Sequence, residues 1–186
     1  MTITVELEAM IRELYDKQAI REVMSNYSRG VDRRDKNLLL SCYHPDALDD
    51  HGMFVGGPED FYEWTDPSHL RYFKTHQHVI NNHTCSLEGT VAHTETYWMF
   101  AGIAAADGKL ATFGGRYLDR LEKRDGHWRI SARKCVVEWW GKDNEPAPEI
   151  LAARAGGGKV AKDRSDCSYE RPLEVSPKRI GLRLGV

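Results

Sequence analysis

The sequence predicts an α+β fold in which a curved antiparallel sheet wraps around a long N-terminal helix. Apolar residues recur at helical spacing across the first thirty or so residues, roughly eight turns of helix. From Thr75 the pattern changes to long strand-like segments separated by glycine turns. The order, helices first and strands after, belongs to α+β proteins rather than to alternating α/β ones. With 186 residues the chain can bury one core without disulfide or metal staples.

The first helix runs from about Glu6 to Arg29. Leu7, Met10, Ile11, Leu14, Ile20, Val23, Met24, Tyr27 and Val31 form its apolar stripe, with charged residues between them. Gly30 ends it, since glycine tolerates a left-handed cap. Lys36 to Tyr43 reads as a short second helix with Asp35 as N-cap and Pro45 as stop. Asp46 to Gly57 is a short strand or hairpin. Pro58 opens a third helix to about Tyr72, which Pro67 should break or kink. Strands follow at His76–Leu87, Thr90–Ala104, Lys109–Lys123 and His127–Trp140. The turns Leu87-Glu88-Gly89, Ala106-Asp107-Gly108 and Arg124-Asp125-Gly126 each place glycine where a hairpin needs positive φ. Three consecutive hairpins make an antiparallel meander that can curve around the long helix and leave a pocket between them.

Residues 1–141 therefore form the α+β domain. Residues 142–186 differ in composition, with linker-like Glu145-Pro146-Ala147-Pro148 and Gly156-Gly157-Gly158. From Lys159 onward there are seven Lys/Arg against four Asp/Glu, so this arm is +3 in a chain of net charge −2. Its apolar residues are too scattered to fold alone. It is expected to pack on another subunit or to form a partly ordered tail, and a homo-oligomer is expected.

Composition excludes several classes. The chain is 41% hydrophobic and 29% charged, with 26 basic and 28 acidic residues, so no nucleic-acid partner is expected. No run approaches the roughly 18 apolar residues of a membrane span. The acidic start, Met-Thr-Ile-Thr-Val-Glu-Leu-Glu, is unlike a signal peptide, and a cytoplasmic location is expected. Cys42, Cys85, Cys135 and Cys167 form no C-x-x-C and read as reduced thiols. No G-x-G-x-x-G, Walker loop, G-x-S-x-G or H-E-x-x-H occurs, so nucleotide cofactors and serine hydrolysis lose support.

Four groups of residues can carry chemistry. Tyr27 and Asp32 stand at the end of the long helix, and Asp32 follows the apolar stripe inward, where a carboxylate needs a partner. The run Thr75-His76-Gln77-His78-Val79-Ile80-Asn81-Asn82-His83 places His76, His78, Ile80 and Asn82 on one strand face. One of these histidines, His76 or His78, is a candidate general base. The H-x-H spacing also suits a metal, which His93, His51 or Asp49 could complete. Asn82 stands where cupin sheets carry a glutamate, so no metal is expected. Gly114-Gly115-Arg116-Tyr117 marks a strand with a bulge or a close approach. Arg116 either holds a phenolate, enolate or carboxylate in the pocket, or pairs with Glu95 or Glu138 and braces the sheet. Tyr43 and Trp98 belong to an aromatic set able to line a pocket for a flat substrate.

The ordered set Tyr27-x4-Asp32, Cys42-Tyr43-His44-Pro45-Asp46-Ala47, Asp50-His51-Gly52, Thr75-x-x-His78-x3-Asn82, Gly114-Gly115-Arg116-Tyr117 and Asp125-Gly126-His127-Trp128-Arg129-Ile130 resembles the SnoaL-like branch of the nuclear-transport-factor-2-like superfamily. Scytalone dehydratase and bile-acid 7α-dehydratase sit in that superfamily. The resemblance covers about residues 8 to 140 and implies a cone of curved sheet with an active site in its mouth. It also implies cofactor-independent proton abstraction by a histidine–aspartate pair. By this resemblance Asp32, His78 and Tyr27 are the catalytic residues; from the residue reading, Arg116, Tyr43, His51, Asn82 and Trp98 are the expected substrate-binding residues. The second catalytic histidine of scytalone dehydratase has no counterpart in Tyr97-Trp98-Met99-Phe100-Ala101. Trimers, common among the family's dehydratases, put a trimer ahead of a dimer.

The expected function is a cofactor-independent lyase acting on a small hydroxylated aromatic or polycyclic molecule, by dehydration or by release of an aldehyde such as formaldehyde. Bacterial lignin diarylpropane lyases resemble the same family and perform the second reaction. A polyketide cyclase or isomerase, and a non-catalytic binding or scaffold protein, are the rival classes.

Overall fold

The computed structural model describes residues 4–141 and 146–184. Helix α1 (Val5–Asp32) leads to α2 (Lys36–Ser41), the hairpin β1 (Tyr43–Asp50) and β2 (Val55–Gly56), and α3 (Pro58–Tyr72). Four long strands follow, β3 (Phe73–Glu88), β4 (Val91–Ala104), β5 (Leu110–Arg124) and β6 (His127–Trp140), then α4 (Pro148–Ala155). One six-stranded sheet has the order β2-β1-β6-β5-β4-β3. The meander β3–β6 is antiparallel, with Gly89, Gly108 and Gly126 at positive φ in its turns. The sheet is nevertheless not wholly antiparallel, because β1 lies parallel to β6. A chain that returns from α2 to the far edge of the meander enters in the direction of β6, which local pattern could not show.

The sheet curves around the C-terminal half of α1. Ile20, Met24, Tyr27 and Val31 are buried against Tyr117, Leu121, Trp128 and Ile130, with Phe54 and Phe61 closing the cluster. The N-terminal half of α1 stands clear of the body, leaving Leu7, Met10, Ile11 and Leu14 exposed. No described helix is long and apolar enough to cross a membrane. The four cysteines are free thiols.

Three local expectations are corrected. Gly30 does not end α1, which runs on to Asp32. A Cβ at Gly30 would lie 2.8 Å from the Leu39 backbone nitrogen, so glycine is required there by the close approach of α2. Pro67 does not break α3. It removes one N–H, while the buried Pro58, Phe61 and Thr65 hold the turns before it against the core. Pro45 lies within β1, since α2 has already ended at Ser41.

The arm folds back on its own sheet. Leu118 and Val136 on the outer face pack on Cys167 and Leu173, and Val55 and Ala132 pack on Val175. Asp166 binds Arg116 through two hydrogen bonds of 2.9 and 3.0 Å. Arg179 grips Asp50 at 2.7 and 3.0 Å. Trp64 Nε1 donates to the Leu184 carbonyl at 3.2 Å. Residues 142–145, where the expected linker begins, lie outside the described residues.

Candidate active site

Asp32 is the last residue of α1, and the packing of Tyr27 and Val31 turns it toward β3. One carboxylate oxygen accepts the His78 backbone N–H at 2.8 Å, and the other lies 2.6 Å from His78 Nδ1. A carboxylate accepts, so Nδ1 is the protonated nitrogen, and it is Nε2 that offers the lone pair in the neutral ring. Of the two candidate bases, His78 lines the central cavity, whereas His76 lines a shallow groove beside Ala101 and Gly102. Burial and the neighbouring imidazoles push His76 down and His69 well down, which keeps both neutral around His78.

A second pair comes from the β1–β2 hairpin. Asp49 is fully buried and accepts the Tyr43 hydroxyl at 2.5 Å. Its other oxygen is hydrogen-bonded to His51 Nδ1. Burial alone would push the His51 imidazolium down, but the Asp49 carboxylate, with Cys135 beside the ring, overrides it and lifts the pKa to about 10. His51 Nε2 lies 3.2 Å from the Tyr27 hydroxyl, so the imidazolium donates to Tyr27. Tyr27 itself is held far above the usual phenol range, first by burial. Behind it the buried Arg133 guanidinium lies 4.0 Å from the Tyr27 ring and 4.3 Å from the Tyr117 ring, paired with Asp119 at 2.6 and 2.9 Å.

Both pairs face one cavity of about 100 Å³ walled by Tyr27, His51, His78, Phe61, Trp98 and Tyr117. Its aromatic wall follows from strand alternation: Trp98 on β4 and Tyr117 on β5 stack 5.3 Å apart on the inner face. Among the described residues, the ligand atoms of Asp32, His76 and His78 also lie within 4.8 Å of one another, a spacing that a divalent cation accepts. The H-x-H carboxylate sought four positions on along the strand is supplied instead by α1.

The structure separates the sequence-derived residues. Tyr27, His51, His78 and Trp98 line the cavity, and Asp32 orients His78 from behind. Tyr43 is not on the wall; it is buried and holds Asp49. Asn82 is exposed and away from the cavity, because a bulge between Ile80 and His83 breaks the two-residue alternation of β3. Arg116 is also not in the cavity. It alternates with Tyr117 onto the outer face, where it meets Glu95 at 3.0 Å, Glu138 at 2.9 Å and Asp166. Its glycine neighbour Gly115 marks a close approach to β6, where a Cβ would clash with the Val136 carbonyl. Arg116 thus braces the sheet and fastens the arm. Sequence reasoning passed over Asp49 as a partner of His51, although D-x-H on a strand end is a readable spacing, and missed Arg154 of α4, which reaches the cavity wall.

A SnoaL-like domain model matches residues 12–134. The chain belongs to the SnoaL-like domain family. A curated relative, the uncharacterized protein Rv2910c of Mycobacterium tuberculosis, is 26% identical over 134 residues, covering 67% of this chain and 89% of the relative. Among solved structures, a type 3 LinA hexachlorocyclohexane dehydrochlorinase from Novosphingobium barchaimii superposes with a TM-score of 0.64 at 20% identity, covering 74% of this chain and 98% of that one. A protein described as a candidate scytalone dehydratase, from Novosphingobium aromaticivorans, gives 0.64 at 20% identity, covering 73% and 92%. At these identities the likeness is one of fold. Within it, the SnoaL-like cone and its α+β architecture are those expected from the sequence.

Proposed function

We propose that the protein is a cofactor-independent lyase that eliminates water, or an aldehyde such as formaldehyde, from a small hydroxylated aromatic or polycyclic molecule. The observation that carries this is the pairing of two opposed acid–base units across one aromatic-walled cavity. His78, held by Asp32 with Nε2 free, takes a proton from carbon. The C–H electrons form the new double bond as the C–O bond breaks. The departing oxygen is protonated by the Tyr27 hydroxyl, which the His51 imidazolium supports from behind. The same residues allow the aldehyde-releasing variant on a phenolic substrate. The ionised phenol first expels a benzylic hydroxyl, protonated by Tyr27, to give a quinone methide. His78 then removes the proton of a neighbouring hydroxymethyl group, and its O–H electrons form the formaldehyde C=O as the C–C bond breaks. The C–C pair forms the new double bond while the ring returns to phenolate. His51, from the hairpin, fills the role of the histidine lacking on β4. A cavity of about 100 Å³ suits one aromatic ring, comparable with the roughly 150 Å³ that holds benzene in an engineered core. An open cavity lined by titratable groups favours an enzyme over a scaffold, and related folds include a dehydrochlorinase.

Incubation with a panel of phenolic alcohols and diols, read by mass spectrometry, tests the reading. Asp32→Asn is expected to lower turnover by about 10²- to 10⁴-fold, with the protein still folded. Unchanged turnover in this variant would remove the dyad from the mechanism. The spacing of Asp32, His76 and His78 favours a second, metal-dependent reading. Exhaustive chelation separates the two: turnover that survives supports the acid–base mechanism, and turnover restored only by added zinc supports the metal.

A further inference from the structure

Arg154 lies on α4, beyond the segment that matches the family, yet it reaches the wall that His51, Tyr27 and His78 also form. The two buried arginines among the described residues are paired, Arg133 with Asp119 and Arg116 with three carboxylates, and the part-buried Arg179 pairs with Asp50. Arg154 has no carboxylate within ion-pair distance among the described residues. Its Nη2 meets only the Met53 sulfur at 3.4 Å, and its buried Nε has no partner. Burial pushes its pKa down, with no opposing carboxylate. A desolvated charge without a partner is costly.

The surroundings nevertheless hold the side chain in place. Gly52, at φ +74°, leaves room that a Cβ would fill at 2.8 Å from Arg154 Cγ. Arg179 donates to the Ala153 carbonyl at 3.0 Å and to the Gly52 carbonyl at 3.0 Å, tying α4 to the hairpin that carries His51. Arg154 and Cys135 also form the partition to a neighbouring cavity of about 200 Å³ under α4. A planar fork of N–H donors in the wall of an aromatic cavity, with Nε unpartnered and Nη2 on no more than a thioether sulfur, is complementary to an anionic oxygen.

We propose that Arg154 is the anion-binding residue of the cavity, and that the ligand is a single-ring aromatic carrying an anionic oxygen, either a carboxylate or a phenolate. This deepens the lyase reading and rests on it for the fate of the bound molecule. It makes the arm part of the site, because the residue that recognises the ligand's charge comes from the arm and the residues that move protons come from the cone.

Binding to the full-length protein, without turnover, tests this. Benzoate, benzamide and 4-nitrophenol are the probes, measured by calorimetry, with thermal melting as the check on folding. The wild type is expected to bind benzoate at least tenfold more tightly than benzamide, or to bind 4-nitrophenol in its ionised, red-shifted form below its solution pKa; the stronger of the two identifies carboxylate or phenolate. Arg154→Met is expected to weaken that anion roughly 10- to 100-fold while leaving benzamide unchanged. It should melt no lower than the wild type, since an apolar side chain replaces an unpaired charge. Arg154→Lys should recover part of the affinity. Several results overturn the inference: no preference for either anion in the wild type, an anion preference that survives in Arg154→Met, or one lost only in His51→Gln. Should Arg154→Met not fold, the ionisation of bound 4-nitrophenol by the wild type and by His51→Gln decides the matter. Asp32→Asn is expected to bind the anion as the wild type does. Lost anion binding in Arg154→Met with full turnover in Asp32→Asn would sink the lyase and leave the anion site standing; the converse pair would do the opposite.

Discussion

Asp49→Asn is the most exacting test of the electrostatics. In the wild type His51 is buried beside the Asp49 carboxylate and its pKa stands at about 10, against the ordinary 6.5. At about 1.4 kcal/mol per pKa unit, the difference bounds the stabilisation from this proton at about 5 kcal/mol. That is close to the roughly 3–5 kcal/mol typical of breaking a buried ion pair. The sign follows from proton binding. Below pH 6.5 the folded and unfolded chains both carry the proton, and the full stabilisation is present. Between 6.5 and 10 only the folded chain carries it, so stability falls as pH rises and this contribution is gone above 10. In Asp49→Asn the largest raising influence is gone, and burial, opposed then by Cys135 alone, is expected to leave the imidazole neutral at pH 8. Long-range ¹H–¹⁵N correlation spectra at pH 8 are expected to show His51 doubly protonated in the wild type and singly protonated in the variant. Urea unfolding from pH 6 to 10 is expected to show the two stability curves converging as pH rises, since all other titrations cancel in the difference. A wild-type His51 that titrates near 6.5, or parallel stability curves, would refute the assignment of His51 as a standing acid.

Three further outcomes are expected. Arg116→Lys keeps the charge but cannot serve three carboxylates at once, so it should cost about 2 kcal/mol in urea unfolding with turnover per folded molecule intact; a drop in turnover alone would return Arg116 to the site. Gly30→Ala drives a methyl to 2.8 Å from the Leu39 nitrogen and should cost about 1–3 kcal/mol, separating α1 from α2; an unchanged midpoint would contradict the close approach. The exposed stripe of Leu7, Met10, Ile11 and Leu14 on α1 is the surface we propose for self-association, with a trimer expected ahead of a dimer. Leu14→Glu should therefore lower the mass seen by light scattering, and a monomeric wild type would end the proposal.

What the sequence determined by itself was the set of local choices. Spacing alone located α1, the four strands of the meander and the three glycine turns, because helical and strand periods are local and positive φ selects glycine. The pairing of Asp32 with His78, forty-six positions apart, was legible only through the ordered motif and not through distance along the chain. The tertiary structure decided everything that depended on which face a side chain took. A bulge after Ile80 carried Asn82 outward, and alternation on β5 carried Arg116 to the outer face, where the arm covers it. Gly30 met a neighbouring helix, which a cap rule cannot anticipate. The arm's destination was least readable: its apolar residues lack a period, and their partners lie on strands already complete in themselves. Arg154 followed it into the cavity, since the position of an irregular segment is fixed by long-range burial and ion pairing and not by any repeat in its own residues.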